Sequence, residues 1–204
     1  MNRRPSLPVV PLAVLLAALL TAHGCSLLRG PSQQPTQFYV LTGAVDRSAA
    51  PDGRKLVLGL GPVTLPSYLD RPEMVSRVES NQLWFDEYNR WGEPLKANVL
   101  RVLAGDLDAL LNLERVVSYP WYRGTPMSYS VAVAISRLEP QPSGEVELSA
   151  RWGIGDGEGT VLTSRESRFT RPGGSPAQNA AAMSDLVGDL STEIATALRA
   201  LDHP

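Results

Sequence analysis

From Ser26 to Asp202 the chain contains neither a histidine nor a cysteine. His23, Cys25 and His203 are the only residues of those two types, and they lie near the ends. A Ser-His-Asp triad, a Cys-His pair and a His- or Cys-ligated zinc site are therefore closed to the body of the chain. With one cysteine, no disulfide can form within it either. Whatever fold arises must be held by a hydrophobic core. The composition supplies one: 43% of the 204 residues are hydrophobic and 20% are charged, which suits a globular domain and excludes a disordered chain. The 19 basic and 21 acidic residues leave a formal charge of −2, without the basic stripe that nucleic-acid binding requires. Lys55 and Lys96 are the only lysines, which reads as a composition bias and not as phosphate recognition.

Residues 1–24 read as an export signal. Arg3 and Arg4 precede an apolar run from Leu7 to Leu20, interrupted by Pro8 and Pro11. The run falls short of the roughly 20 residues that span a bilayer, so a signal-peptide core fits better than a membrane helix. No comparable run follows. The leader ends Ala22-His23-Gly24-Cys25, which resembles the lipobox of bacterial lipoproteins. By that resemblance Cys25 is a lipidation site, its thiolate accepting diacylglycerol before it becomes the acylated first residue. Several acyl chains, at about 0.8 kcal/mol per buried CH₂, would make such attachment effectively permanent. Ser26 stands where an aspartate would signal inner-membrane retention, and so points to the outer membrane. Residues 25–36 then read as a lipidated, Pro-rich tether and 37–204 as a single domain. Removing the leader takes two arginines, leaving 17 basic against 21 acidic residues and a net charge of −4. That charge gives no electrostatic attraction to anionic lipid, so the anchor alone would hold the membrane.

Within the domain, period-two segments predict strands at Gln37–Thr42, Lys55–Val63, Met74–Glu79, Gln82–Tyr88, Arg115–Tyr119, Ser128–Leu138, Glu145–Ile154 and Thr160–Thr170, with a loop at residues 43–54. In Ser128–Leu138 the alternation is clean, with Val131, Val133 and Ile135 on one face. Met74, Ser76 and Val78 are expected to share a side of their strand. Gly155 to Gly159 makes a glycine-rich hairpin turn. Leu95, Val99, Val102, Leu103, Leu107, Leu110 and Leu111 recur at spacings of three and four and predict a helix, with Pro94 in its first turn and Asp106 and Asp108 off the stripe. A second helix begins at Ser175 as N-cap and Pro176, with Met183, Leu186, Leu190, Ile194, Leu198 and Leu201 as its core face. Two long helices and these strands predict a layered mixed α/β domain with at least one crossover.

Gly59-Leu-Gly61 is followed by Pro62, not by a helix, and lacks the third glycine of a dinucleotide loop. There is no Walker lysine motif. Asp70 with Glu73, Asp86 with Glu87, and Asp106 with Asp108 are read as structural charge, although carboxylate pairs can run glycoside hydrolysis. The loops are richer in recognition residues. Leu65-Pro-Ser-Tyr-Leu-Asp-Arg-Pro72, Arg90-Trp-Gly-Glu-Pro94 and Tyr119-Pro-Trp-Tyr122 combine prolines, which limit loop freedom, with the Tyr, Trp and Arg enriched in binding hot spots. Core capping by Trp91 and Trp121, with loop hydrogen bonds from Arg71 and Arg90, is the competing account of the same residues.

These segments resemble the PqiC-type family, the auxiliary lipoproteins of ABC-type envelope transporters. The matching residues are Phe38-Tyr39-Val40-Leu41, Gly61-Pro62-Val63-x-Leu65-Pro66-x-Tyr68-Leu69-Asp70-Arg71-Pro72, Arg90-Trp91-x-Glu93-Pro94-Leu95, Tyr119-Pro120-Trp121 and Ala150-x-Trp152, in family order. The resemblance implies an α/β fold similar to the anticodon-binding-like and TolB amino-terminal architectures. It implies a periplasm-facing lipoprotein at the outer membrane, without cofactor, metal or catalytic residues. The implied partner is an MCE-domain (PqiB-like) protein, with phospholipid moving nearby and a homo-oligomeric ring to match the partner's own. Leu65, Tyr68, Leu69, Asp70, Arg71, Pro72, Arg90, Trp91, Glu93 and Trp121 are the candidate partner contacts. Two other readings stay open: a cell-wall hydrolase using paired carboxylates such as Asp70 and Glu93, and a structural envelope lipoprotein that handles no lipid.

Overall fold

The computed structural model describes residues 35–46, 56–122 and 124–202. The expected leader, Cys25 and all but the last two residues of the expected tether lie outside the described residues, as does most of the expected loop at 43–54.

The chain runs β1 (Gln37–Tyr39), β2 (Val57–Thr64), β3 (Glu73–Glu79), β4 (Gln82–Trp91), α1 (Leu95–Leu111), β5 (Arg115–Ser118), β6 (Tyr129–Pro140), β7 (Glu145–Asp156), β8 (Val161–Pro172) and α2 (Pro176–Asp202). The expected mixed α/β class is what forms, with its strands divided between two sheets. One has three strands in the order β1-β4-β3, the other five in the order β5-β2-β6-β7-β8. β2 lies parallel to both β5 and β6. Parallel neighbours need a crossover, and the segment carrying β3, β4 and α1 supplies the one from β2 to β5.

The alternation of β6 builds the core face of the larger sheet. Val131 pairs with Ile154, Val133 with Trp152 and Ile135 with Ala150, and all six are buried. Ala132, Ala134 and Ser136 point the other way and stay exposed. α2 packs on β6, β7 and β8, α1 on β2 and β5, and the two helices on each other. Their apolar stripes, including Leu103, Leu107, Leu186, Leu190 and Ile194, are fully buried.

Local chemistry sets the helix ends. Pro94 is not in the first turn of α1 but just before it, as an extended N-cap residue (φ −51°, ψ 129°). Asn112 ends α1 in the left-handed conformation. Arg199 of α2 donates to the Leu110 carbonyl at 2.6 Å, satisfying an oxygen that the helix end would orphan. α2 opens on a reciprocal cap: the Gln178 amide donates to Ser175 Oγ at 3.4 Å, and the Ser175 amide donates to Gln178 Oε1 at 2.8 Å.

Two further expectations need correction. Asp106 is not on the solvated side of α1. It is 2% exposed and faces α2, where Ser191 Oγ donates to it at 3.3 Å. Met74 and Ser76 keep to one side of β3, but Val78 drops out of the ladder where the register shifts between Arg77 and Glu79; Met74 is buried and Val78 exposed. Gly59 belongs to a strand interior, and its lack of a side chain has a packing reason. A Cβ there would run into Met127 Sδ and stand 3.4 Å from the Trp121 ring, so the β5–β6 connection lies close over β2 at this glycine.

Candidate functional site

The Leu65–Pro72 segment is a tight loop between β2 and β3. The Leu69 amide donates to the Pro66 carbonyl and the Arg71 amide to the Leu69 carbonyl, both at 2.9 Å. Leu69 is buried and Leu65 packs partly against the core, so these side chains seat the loop. Tyr68 turns toward β6. Its hydroxyl lies 3.3 Å from Glu139 Oε1 and 3.4 Å from the Ser136 carbonyl, and Arg77 Nε donates to Glu139 Oε1 at 3.1 Å. Glu139 is fully buried, so this carboxylate depends on Arg77 and Tyr68 for compensation. Burial, followed by the Glu139 charge, pushes the Tyr68 hydroxyl pKa up.

The Arg90–Pro94 segment joins β4 to α1 and lies against that loop. The Trp91 amide donates to the Pro72 carbonyl at 2.7 Å, and the Gly92 amide donates to the Tyr39 carbonyl at 2.8 Å. Glu73 ties the two segments through charge. Arg71 Nε approaches one carboxylate oxygen at 2.8 Å and Arg90 Nη2 the other at 2.6 Å. Hydrogen bonds from Arg71 first, then from the backbone and Arg90, hold the Glu73 carboxyl down to about 2. The Arg71 guanidinium also sits 4.0 Å from the centre of the Phe85 ring, a cation–π stack. On the other side Glu93 Oε1 accepts from Arg101 Nε at 3.0 Å and Nη2 at 2.7 Å. Arg101 Nη2 also donates to the Leu41 carbonyl and to Asn98 Oδ1, fastening the chain after β1 to α1.

Between these walls lies a cleft of about 420 Å³ lined by Asp70, Arg71, Pro72, Trp91, Gly92, Glu93 and Pro94. Two segments some twenty residues apart in sequence thus share one concavity. Asp70 and Pro72 are exposed at its rim, Arg71 and Glu93 are half-buried, and Trp91 forms its floor at 5% exposure. Trp121 lies elsewhere. It meets Tyr119 edge-to-face at 5.2 Å and lines a separate cavity of about 340 Å³ with Tyr122, Met127 and Asp156. Sequence reasoning passed over Glu73 as one acid of a pair, and passed over Arg101 and the Arg77–Glu139 pair altogether. The signal for Glu73 was its place within two residues of Arg71; Arg77 and Glu139 are 62 residues apart and carried no local signal. Among the described residues no group of His, Cys, Asp and Glu side chains could hold a metal ion. Nor is any helix among them long and apolar enough to cross a membrane.

Residues 39–195 match the family of the ABC-type transport auxiliary lipoprotein component. The chain belongs to this family. The match spans both walls of the cleft and bears out the resemblance read from the motifs. No curated protein matches the chain. Among solved structures, an uncharacterized protein is similar at a TM-score of 0.67 and 17% identity, covering 81% of this chain and 99% of that one. A Xanthomonas campestris protein of the DUF330 family is similar at a TM-score of 0.67 and 18% identity, covering 78% of this chain and 93% of that one. These likenesses show that the auxiliary-component chain shares their fold.

Proposed function

We propose that this auxiliary lipoprotein serves, without enzymatic activity, an ABC-type transporter that moves lipid across the envelope. In this reading residues 1–24 are removed, acylated Cys25 holds the chain at the outer membrane facing the periplasm, residues 25–36 are the tether, and 37–204 form the docking domain. The domain receives an MCE-domain (PqiB-like) partner at the cleft, phospholipid passes nearby, and the assembly supports membrane integrity. Several copies would form a ring around the partner's own.

The convergence of the two motif segments on one cleft carries this reading. Glu73 and the Trp91–Pro72 hydrogen bond fix its walls, so it is preformed, and a preformed site spares a partner the entropy of ordering it. Asp70 and Arg71 at the rim offer charges of both signs, as a protein partner needs for register. Leu65, Tyr68, Leu69 and Trp91 support that rim from the core side, and Trp121 would belong to a second contact. Crosslinking in cells, followed by purification of the chain, is expected to recover an MCE-domain protein. Asp70→Lys, a change to an exposed side chain, is expected to abolish that recovery without lowering the melting temperature. If the wild-type chain recovers no MCE-domain protein, the docking reading is lost. Native mass spectrometry showing no retained phospholipid would favour a purely structural envelope lipoprotein.

One observation favours a cell-wall hydrolase: Asp70 and Glu93 line the same cleft. Against it, Glu93 Oε1 is already occupied by two bonds from Arg101. A glycan-hydrolysing activity that both Asp70→Asn and Glu93→Gln abolish would restore that reading, and an activity that survives both removes it.

A further inference from the structure

Asp70 is the one charge at the cleft that the fold leaves unanswered. Three charged side chains line the concavity, Asp70 and Arg71 from the loop wall and Glu93 from the wall leading into α1. Arg71 is committed to Glu73 at 2.8 Å and to the Phe85 ring at 4.0 Å. Glu93 is committed to Arg101 at 2.7 Å. Asp70 is exposed and has no hydrogen bond or ion pair among the described residues. Its neighbours hold it in place: Leu69 is buried, and the Arg71 amide donates to the Leu69 carbonyl at 2.9 Å. The loop therefore fixes Asp70 at the rim without using its carboxylate. The floor is apolar, with Trp91, Pro72 and Pro94, and it reaches beyond the two motif segments. Val40, which follows β1, is 50% exposed, and its Cγ1 would lie 3.3 Å from a Cβ placed on Gly92, a lining residue. The Gly92 amide donates to the Tyr39 carbonyl, so the chain leaving β1 is bound along this wall and Val40 adjoins the cleft.

We infer that the cleft receives a lysine or arginine side chain carried on an apolar segment of the transport partner. The inference rests on the docking reading above and adds to it the chemistry of what docks, with Val40 as a further contact. Shape is the first argument. A long basic side chain lays its aliphatic stem on apolar surface and extends its charge to the water's edge. Trp91, Pro72 and Pro94 suit the stem, and Asp70 at the rim suits the charged head. Sign is the second. Two carboxylates and one guanidinium line the cleft. An acidic group would meet Asp70 on one wall and Glu93 on the other, and its one attraction there, Arg71, is already engaged by Glu73 and Phe85. A basic group completes the one charge that lacks a partner. Continuity is the third. Val40 beside Gly92 extends the apolar floor past the cleft, so residues flanking the basic one have apolar surface to cover. Because Asp70 stands at a water-exposed rim, the pair acts on encounter and is sensitive to salt.

The test is run in cells on the full chain. The photo-crosslinker p-benzoylphenylalanine is placed at position 40, and after irradiation the crosslinked peptide is identified by mass spectrometry. The expected peptide comes from the MCE-domain partner and carries a lysine or arginine among apolar residues. In parallel, the partner is recovered with the purified chain over a range of salt. Asp70→Asn keeps the shape and removes the charge. It is expected to lower recovery about tenfold at low salt, and to differ little from wild type at high salt, where screening weakens the wild-type pair as well. Asp70→Lys, combined with aspartate at the crosslinked basic residue of the partner, is expected to restore recovery, which a change of shape alone would not do. Equal recovery of wild type and Asp70→Asn at low salt overturns the inference. So does a charge swap that restores nothing, or a crosslink from position 40 to a second copy of this chain, to a peptide without a basic residue, or to no protein. The two levels stay distinct. A wild-type chain that recovers no MCE-domain protein at any salt defeats the docking reading itself, whereas recovery that is indifferent to Asp70→Asn leaves docking intact and removes only the basic contact.

Discussion

Charges at two positions respond to acid in opposite directions. Glu73 is held down to about 2 by Arg71 and Arg90, from an ordinary value of 4.5. A carboxyl whose pKa is lower in the folded state adds stability that is fully present above the ordinary value and is lost as pH falls from there through about 2. Glu73→Gln is therefore expected to melt below the wild type at pH 7, and the gap should close as melts are repeated down to about pH 2. A gap unchanged across that range would mean that the two arginines do not hold Glu73 through charge. Asp106 behaves the other way. Burial between the helices pushes its carboxyl above the ordinary 3.8, against the hydrogen bonds from Ser191 and the Ala44 amide. The folded state then favours the protonated form, so its contribution is greatest in acid and is lost as pH rises through the folded pKa. Asp106→Asn keeps an acceptor and carries no charge. It is expected to raise the melting temperature at pH 7, with a gain that shrinks toward acid pH.

Elements are joined by a few contacts that substitution can address. β3 is fastened to β6 by Arg77 and Glu139, whose side chains are 14% and 0% exposed. Removing one partner of a buried pair leaves an uncompensated charge and costs about 3–5 kcal/mol. Arg77→Ala should lower the free energy of unfolding in urea by that amount, whereas Tyr68→Phe, which deletes one weak bond to the same carboxylate, should cost only about 1 kcal/mol. The segment after β1 is seated on the helices in the same manner. A Cβ at Gly188 of α2 would come within 2.9 Å of Ala44 Cβ, neither of which can rotate away. Gly188→Ala is expected to destabilise by about 1–3 kcal/mol through overpacking, despite the better helix propensity of alanine; equal or greater stability in urea melts would refute the close approach. These joints also mark where sequence stops being informative. The stripes of α1 and α2 and the alternation of β6 repeat a local period, and the elements form where that period predicts. Asp106 was misread because the groups that make its burial tolerable, Ser191 and Ala44, lie 85 and 62 positions away in the chain. Val78 was misread because a register shift between Arg77 and Glu79 takes it out of the ladder. A period read along one strand carries no information about such a shift.

At the scale of the molecule, the division into two sheets was not legible either, since β2 reaches β5 across nearly sixty residues and no local pattern encodes that pairing. The two motif segments could be recognised, but that they enclose one cleft follows only from the β3–β4 hairpin, which brings the end of β4 back beside the Leu65–Pro72 loop. A division of labour results. α1, α2 and the five-stranded sheet supply most of the core, joined by Met74, Val75 and Trp91, and the small sheet with its two loops supplies surfaces. The described core lies wholly within Thr36–Pro204, one compact unit, and Cys25 lies outside the described residues. Anchoring and folding should therefore be separable. Cys25→Ser is expected to abolish incorporation of labelled palmitate and to shift the chain from the membrane to the soluble periplasmic fraction. The melting temperature of the purified domain should stay as it was, because no core side chain is touched. A variant that still pellets with membranes would show that the partner suffices for attachment, and a variant that loses its cooperative melt would show that the anchor segment takes part in the fold.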